Sequence, residues 1–166
     1  MDVRSIIETL EKQAAVYEHL LALAKEKTPY LVHNKVDLLN ATIQKERKLL
    51  KTADELELQR MTLSSHYFSS LGMLRYKGGK ISDMIKTVTS PQDKSRLNEL
   101  HQQLTRALDE LQKVGRLNKQ LIEQSLKFIN YSVDLLVEDP NGDYTYQHPR
   151  SNGYGNVRTG LFNTKG

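Results

Sequence analysis

The sequence predicts an all-α protein: an elongated antiparallel helical bundle of about three long helices plus a short one, followed by an irregular C-terminal tail. Apolar residues recur every three or four positions over most of the chain, as they do on one face of an α-helix. Gly and Pro, which interrupt helices, stand between these stretches and are dense only near the C-terminus. Hydrophobic residues make up 38% of the 166 residues, as expected when each helix buries only a stripe.

The first predicted helix runs from about Asp2 to Lys27. Its apolar residues alternate four and three apart, which is the spacing of a heptad seam. Thr28-Pro29 should end it, because proline lacks the backbone N–H and disfavours helical geometry in the residue before it. The seam residues are Val3, Ile7, Leu10, Ala14, Tyr17, Leu21 and Ala24.

The second predicted helix runs from near Asn34 to about Leu74. One face is apolar and the other is basic, and the Gly78-Gly79 pair then breaks the chain. A short amphipathic helix should follow. The apolar face carries Val36, Leu39, Ile43, Leu50 and Ala53, the basic face carries Lys45, Arg47, Lys48 and Lys51, and the short helix carries Ile81, Met84, Ile85 and Val88.

The last predicted helix has the clearest start. Ser90 suits the N-cap, Pro91 the first helical position and Asp93 the positive end of the helix dipole. Only Gly115 interrupts the pattern before Asp139-Pro140. A row of residues seven apart lies along this helix: Leu104, Leu111, Asn118, Ser125 and Ser132. From the seams of the three long helices we predict that Leu10, Leu21, Ile43 and Leu104 are buried.

Two further apolar rows flank this central row, so the apolar face is wider than a two-helix seam. The rows are Leu108, Gly115, Ile122, Ile129 and Leu136 on one side, and Ala107, Val114, Leu121, Phe128 and Leu135 on the other. In one interpretation both rows pack inside the bundle. In the other, the part beyond Leu121 is left uncovered, and Phe128, Tyr131 and Leu135 anchor another helix.

The predicted domains are a helical bundle over residues 1–138 and a flexible tail over residues 139–166. The tail combines many Gly and Pro residues with aromatic rings, including Tyr144, Tyr146 and Phe162. Disordered segments are usually poor in aromatic residues. We therefore predict that these rings take part in binding, together with Leu121, Phe128, Tyr131 and Leu135.

No catalytic or cofactor-binding pattern is present. None of the five histidines has Glu three residues before it, no two stand four apart, and the chain has no cysteine. The sequence GGKIS lacks the first glycine and the hydroxyl residue of a phosphate loop. We expect no enzyme activity, no metal and no cofactor.

The sequence also indicates whether membranes or nucleic acids are expected partners. No apolar run approaches the ~20 residues of a membrane span, and the N-terminus does not have the pattern of a signal peptide, so we expect a cytoplasmic protein without membrane insertion. The net charge is only +4. The basic run from Lys45 to Lys51 contains Glu46 and no aromatic residues, so nucleic-acid binding is not expected.

Two segments resemble a known family. The first is LNKQLIEQSLKFIN, residues 117–130, followed by a Tyr- and Gly-containing tail that ends in GLFNTKG. The second is the predicted second helix, with Asp37, Glu46, Leu49-Leu50, Leu56 and Arg60. Together they resemble the FlgN family of flagellar type III export chaperones, of the Gram-positive type.

The resemblance implies a cytoplasmic protein of a flagellated bacterium that binds hook-filament junction proteins before export. It also implies transfer of that cargo to the export gate and associated export machinery, without a cofactor. Cargo of this kind has amphipathic ends that assemble prematurely, and a helical surface covers such ends without covalent chemistry. An alternative function is a structural or signalling coiled-coil adaptor that self-associates through the heptads of its first helix.

Overall fold

The computed structural model describes residues 3–76 and 78–137, and these residues form helices and short connections. The helices are α1 (Val3–Val32), α2 (Val36–Ser70), α3 (Ile81–Thr87) and α4 (Pro91–Val137), and a 3-10 turn covers Leu74–Tyr76. The described residues contain no strand. The predicted all-α class is confirmed. The predicted tail, residues 139–166, lies outside the described residues.

Hydrogen bonds between the long helices fix their directions. Gln13 bonds Glu57, and Lys27 bonds Glu46, so α2 runs antiparallel to α1. Arg96 bonds Glu11 near the start of both α4 and α1, and further on Asn118 bonds Ala24. Helix α4 therefore runs parallel to α1 and antiparallel to α2. Over residues 1–126, which form one compact unit, this is an up-down-up bundle.

The core of this unit lies where α1 and α4 begin and α2 ends. The fully buried side chains include Ile6, Leu10, Phe68, Leu97 and Leu100, each at most 1% exposed. Helix α3 closes the core from the side. The core cluster consists of Ile6, Ile7, Leu10, Ala14, Tyr67, Phe68, Met84, Val88, Leu97, Leu100 and Leu104.

The predicted start of α4 is confirmed in detail. The Ser90 hydroxyl accepts a hydrogen bond from the backbone N–H of Asp93 at 3.3 Å. Pro91 is the first helical residue, where its missing N–H costs nothing. The short amphipathic helix is also confirmed, since Met84 and Val88 are buried in the core.

Helix α1 does not end at Thr28-Pro29, so that prediction was wrong. The helix contains Pro29 and continues to Val32. Asn34 ends it by adopting a left-handed conformation, with φ of 51°, and the Lys35 N–H donates to the Tyr30 carbonyl at 2.9 Å. These are the marks of a Schellman cap with Asn in the glycine position. Leu31 is buried in the added turn, which offsets part of the cost of proline.

Helix α2 is shorter than predicted at both ends. It begins at Val36 rather than near Asn34, because Asn34 caps α1. It stops at Ser70 rather than Leu74, because Gly72 has φ of 73° and the Met73 N–H donates to the Phe68 carbonyl at 2.9 Å. This is a second Schellman cap, here with glycine in the left-handed position. The predicted break at Gly78-Gly79 is confirmed.

Two of the four core predictions hold. Leu10 and Leu104 are buried, whereas Leu21 and Ile43 are only partly buried. On α1 the buried stripe shifts to Leu20, because α1 packs against both α2 and α4 and the centre of its stripe lies between them. The buried residues in the first half of α2 are Thr42 and Ala53, and the predicted apolar residues Val36 and Leu50 are 60% and 47% exposed.

Candidate functional site

The end of the bundle away from the core is built from smaller and more polar side chains. Along the central row of α4, Leu104 is buried, Leu111 is partly buried and Asn118 is 4% exposed. Asn118 faces Ala24 and Thr28 of α1. Since Ala24 and Asn118 fill less space than the leucines and aromatic rings of the core, the helices enclose less apolar volume here.

Asn118 makes two hydrogen bonds that join α4 to α1. Its Nδ2 donates to the Ala24 carbonyl oxygen at 2.8 Å, and its Oδ1 accepts from the Thr28 hydroxyl at 2.7 Å. A buried amide is costly unless it is hydrogen-bonded. A shifted alignment of α4 on α1 would leave this amide without partners, so the pair of bonds fixes the register of the two helices.

A groove opens between α2 and α4 at this end, with α1 as its floor. It has two parts, with volumes of about 500 Å³ and about 260 Å³. Ile122 lines both parts, so they adjoin; we call them together the α2–α4 groove. The first part is lined by Leu20, Ala24, Lys27, Glu46, Leu50, Leu111, Gly115, Asn118, Lys119, Ile122 and Glu123, and the second by Tyr30, Leu31, Asn34, Val36, Leu39, Ile122, Ser125 and Leu126.

The walls of the groove expose large apolar side chains. Val36 and Leu50 on α2 are 60% and 47% exposed, and Ile122 and Leu126 on α4 are 44% and 54% exposed. One ion pair lies in the groove: the Lys27 Nζ is 2.7 Å from a carboxylate oxygen of Glu46. The lining is therefore mostly apolar, with charged groups at defined points, as in sites that bind an apolar partner in a fixed orientation.

Sequence analysis missed this groove. It placed Val36 and Leu50 on the apolar face of α2, and it named Ile122 only as a member of one flanking row of α4, although one interpretation left the part beyond Leu121 uncovered. One signal was present in the sequence. Gly115 sits inside a long helix, where glycine is unfavourable, and a Cβ added to it would meet no atom within 4 Å. At Gly115 the space beside the helix is open.

The predicted binding residues of α4 beyond Leu121 are exposed. Leu121 itself is partly buried, whereas Phe128, Tyr131 and Leu135 are 70%, 62% and 54% exposed. The remaining predicted binding residues, Tyr144, Tyr146 and Phe162, lie outside the described residues.

Comparison with known proteins identifies the family. The profile of the FlgN protein family matches residues 1–152. The chain belongs to the FlgN family. A relative in Bacillus subtilis (strain 168), the uncharacterized protein YvyG, is 32% identical over 141 residues, which cover 85% of this chain and 84% of YvyG. No solved structure matches the chain.

Membership places the chain among the flagellar export chaperones, which are not an enzyme family. Two further observations on the described residues concern metal sites and membrane spans. No three His, Cys, Asp or Glu side chains among them are arranged to hold a metal ion, and none of their helices is long and apolar enough to cross a membrane. His33 and Asp37, which stand four apart in the sequence, are both exposed.

A network of charged and polar groups in this FlgN-family chain lies between α1, α2 and the α2–α3 connection. The Glu57 carboxylate accepts hydrogen bonds from Gln13 at 2.9 Å and from Arg60 at 2.6 and 2.8 Å. Arg60 also donates to the Gly79 carbonyl at 3.2 Å. The Arg60 hydrogen bonds lower the pKa of Glu57 despite its partial burial. Burial, and next the Glu57 charge, raises the pKa of Tyr17 beside it.

This network has the chemistry of a structural tie. Its carboxylate is held ionised by Arg60, and the guanidinium is held by two different segments of the chain. Within the described part of the chain, every buried side-chain N and O atom has a hydrogen-bond partner. The network therefore pins the α2–α3 connection against α1 and α2 and offers no free base or nucleophile.

Proposed function

We propose that this chain is the cytoplasmic chaperone of the hook-filament junction proteins, which prevents their premature assembly and delivers them to the type III export apparatus. Family membership supports the export-chaperone role. The observation that carries the choice of binding surface is the run of exposed large apolar residues near the end of α4. Phe128, Tyr131 and Leu135 stand at i, i+3 and i+7, the spacing with which one helix docks onto another.

The exposure of these residues is what makes them a binding surface. Large contiguous apolar surfaces are rare on proteins that have no partner, and aromatic rings are the usual anchors of interfaces. Ile129 and Leu136 add to the same stretch of α4, with 53% and 84% of their surfaces exposed. An amphipathic end of a junction protein would cover them, which removes apolar surface of both partners from water.

The tail extends the proposal to Tyr144, Tyr146 and Phe162. Immobilising side chains at an interface costs entropy and lowers the net affinity. Moderate affinity suits a chaperone, since the cargo must leave at the export gate. No covalent step and no cofactor enters this cycle.

The proposal is tested with a double substitution, Phe128→Ala with Leu135→Ala. Affinity for a purified hook-filament junction protein of the same bacterium, measured by isothermal titration calorimetry, should fall about tenfold or more, as expected for loss of two apolar anchors. The thermal unfolding midpoint should stay nearly unchanged, because both side chains are exposed. Removal of residues 139–166 should also weaken binding without changing helicity.

A matched control uses two exposed leucines elsewhere. Leu58 and Leu74 are 67% and 65% exposed, so Leu58→Ala with Leu74→Ala removes similar apolar surface and should leave affinity for the junction protein unchanged. If the intact chain does not bind any junction protein, the proposed function is wrong. If it binds and the Phe128 and Leu135 variant binds equally well, the assigned surface is wrong.

Self-association is the competing function, and one observation favours it: Leu121, Phe128 and Leu135 stand seven apart, as in a coiled-coil seam. Sedimentation velocity over a range of protein concentrations separates the two. A stable oligomer that the Phe128 and Leu135 substitutions dissociate, together with no affinity for junction proteins, would establish the adaptor function instead.

A further inference from the structure

The α2–α4 groove is apolar along its walls but lies in the basic part of the molecule. The segments that contain all its lining residues, 20–52 and 111–126, hold ten Lys or Arg and four Asp or Glu, so their net charge of +6 exceeds the +4 of the whole chain. The rest of the chain is therefore net negative. The basic residues are Lys25, Lys27, Lys35, Lys45, Arg47, Lys48, Lys51, Lys113, Arg116 and Lys119.

Most of this positive charge is available to a partner. Lys27 is paired with Glu46, and Lys113 with Glu110. The other eight basic side chains are exposed and make no ion pair with any described residue. Acidic side chains on these segments are few: Glu26, Asp37, Glu46 and Glu123. The unpaired charge around the groove is therefore mainly positive, with Glu123 as an acidic lining residue, and such a surface favours partners of the opposite sign.

Besides Lys27, which is paired with Glu46, two of the basic residues stand at the groove. Lys119 lines it on α4. On α2, Arg47 follows the lining residue Glu46 by one position, and its i,i+3 spacing places it next to the lining residue Leu50 on the helix surface. A positive group thus stands on each wall, beside the exposed apolar side chains.

The shape of the groove suits a helix better than a small molecule. It follows two helices and exposes a row of aliphatic side chains, Val36 and Leu50 on one wall and Ile122 and Leu126 on the other. Gly115 leaves the α4 wall open between Leu111 and Lys119. An amphipathic helix fills such a groove with its apolar face and directs its polar face to the rim.

We propose that the α2–α4 groove binds an amphipathic helix whose polar face is acidic. This rests on the proposed chaperone function, because the helix would belong to the exported cargo. It adds a second surface of the bundle that contacts cargo. It also predicts that the charge on the polar face of a cargo helix determines whether the chaperone binds it. The apolar walls supply affinity, and the basic rim excludes helices with a basic polar face.

The first test uses two synthetic amphipathic peptides with the same apolar face, one with Glu and one with Lys on the polar face. Fluorescence anisotropy with the full chain should show the acidic peptide binding about tenfold tighter or more at about 0.1 M salt, and the ratio should shrink at about 1 M, because salt screens exposed charges. Equal affinities for the two peptides would overturn the proposal.

Charge reversal at the rim tests the position of the site. Arg47→Glu with Lys119→Glu should lower affinity for the acidic peptide about tenfold and raise affinity for the basic one. The control, Lys12→Glu with Lys94→Glu, changes net charge equally at exposed positions outside the two segments. It should leave the preference unchanged. A control that weakens binding as much as the rim variant would show that only overall charge matters, and the proposed site would be wrong.

Filling the groove tests its occupancy without removing any contact. Gly115→Leu places a side chain in the open space of the groove. Because the acidic peptide can then no longer pack at the centre of the interface, its affinity should fall about tenfold. Gly115→Ala adds only a Cβ, which meets no atom within 4 Å, and should raise thermal stability while binding stays as in the unchanged chain. Both variants should keep the helical circular dichroism spectrum. Unchanged peptide affinity in folded Gly115→Leu would contradict the proposal.

The outcomes separate this inference from the proposed function. If the intact chain binds a junction protein, and Gly115→Leu and the rim variant do so equally well, the groove is not a cargo site and the chaperone function stands. If no junction protein binds at all, the proposed function fails whatever the peptides do. Binding to phosphatidylserine vesicles or to RNA with no affinity for the acidic peptide would assign the basic surface to another partner class and overturn the inference.

Discussion

The two ends of the bundle within residues 3–126 differ in what fills the space between the same three helices. At one end Phe68, Leu97 and Leu100 are almost fully buried, and the short helix α3 covers them. At the other end the contact between α1 and α4 is made by Ala24, Thr28 and Asn118, and α2 leaves a groove beside α4.

This difference separates stability from recognition. A closed core needs large apolar side chains on every helix and a fourth element to cover them. Small and polar residues hold helices in register with little buried volume, so apolar side chains on their flanks remain at the surface. The candidate groove therefore lies where the bundle is least closed, and substitutions there should affect binding more than folding.

The largest expected difference between the ends is in the cost of removing a leucine. Leu104, 6% exposed, belongs to the core, and Leu104→Ala should lower the free energy of unfolding by ~2–5 kcal/mol. Leu126 lies on the groove wall and is 54% exposed. Leu126→Ala should therefore lower the free energy of unfolding by less than about 1 kcal/mol. Urea unfolding followed by circular dichroism measures both. Equal losses would show that the groove end is as closed as the core.

Periodicity predicted the elements and the core end well, and the reason is physical. At that end each helix buries a broad apolar stripe, so Leu10 and Leu104 could be assigned from spacing alone, as could the short helix with Met84. The start of α4 was predictable because Ser90, Pro91 and Asp93 act through local geometry. Such interactions depend on neighbours in the sequence and are visible in it.

The predictions from sequence were wrong where tertiary contacts decide which of two neighbouring residues is buried or where a helix ends. Spacing favoured Leu21 over Leu20, but packing of α1 against two helices buries Leu20. Pro29 indicated a helix end, yet the buried Leu31 keeps one more turn and Asn34 supplies the actual stop. The groove walls could not be predicted, because an apolar stripe has the same pattern whether a neighbouring helix covers it or not.

A smaller effect is expected from the polar tie at the open end. Asn118→Ala removes two hydrogen bonds between α4 and α1 and leaves the Thr28 hydroxyl only its longer bond of 3.5 Å to the Ala24 carbonyl, which should cost ~1–3 kcal/mol. A double-mutant cycle with Thr28→Val isolates the Thr28 bond and should give a coupling of about 1 kcal/mol. Additive losses would mean that the Thr28–Asn118 bond contributes nothing to stability. Ser125→Ala, one heptad further along α4, is the control.

The smallest expected effect comes from the ion pair at the core end, and it depends on pH. The Arg60 hydrogen bonds hold the pKa of Glu57 below its ordinary value, so the folded state binds fewer protons than the unfolded state. The stabilisation is fully present above the unfolded pKa of about 4.3 and is lost as pH falls through the lower folded value. Because the Glu57 side chain is 43% exposed, the effect should stay below about 1 kcal/mol.

Glu57→Gln tests this directly, since glutamine keeps one acceptor for Arg60 and loses the charge. The variant should be less stable at neutral pH, and its loss of stability between about pH 5 and pH 3 should be smaller than that of the unchanged chain, because one lowered carboxyl pKa no longer contributes. Glu8→Gln, at an exposed position of α1, removes the same charge away from Arg60 and should keep the original slope. Parallel slopes for Glu57→Gln and the unchanged chain would mean that Arg60 stabilises this end through its bond to the Gly79 carbonyl, with no contribution from the carboxylate.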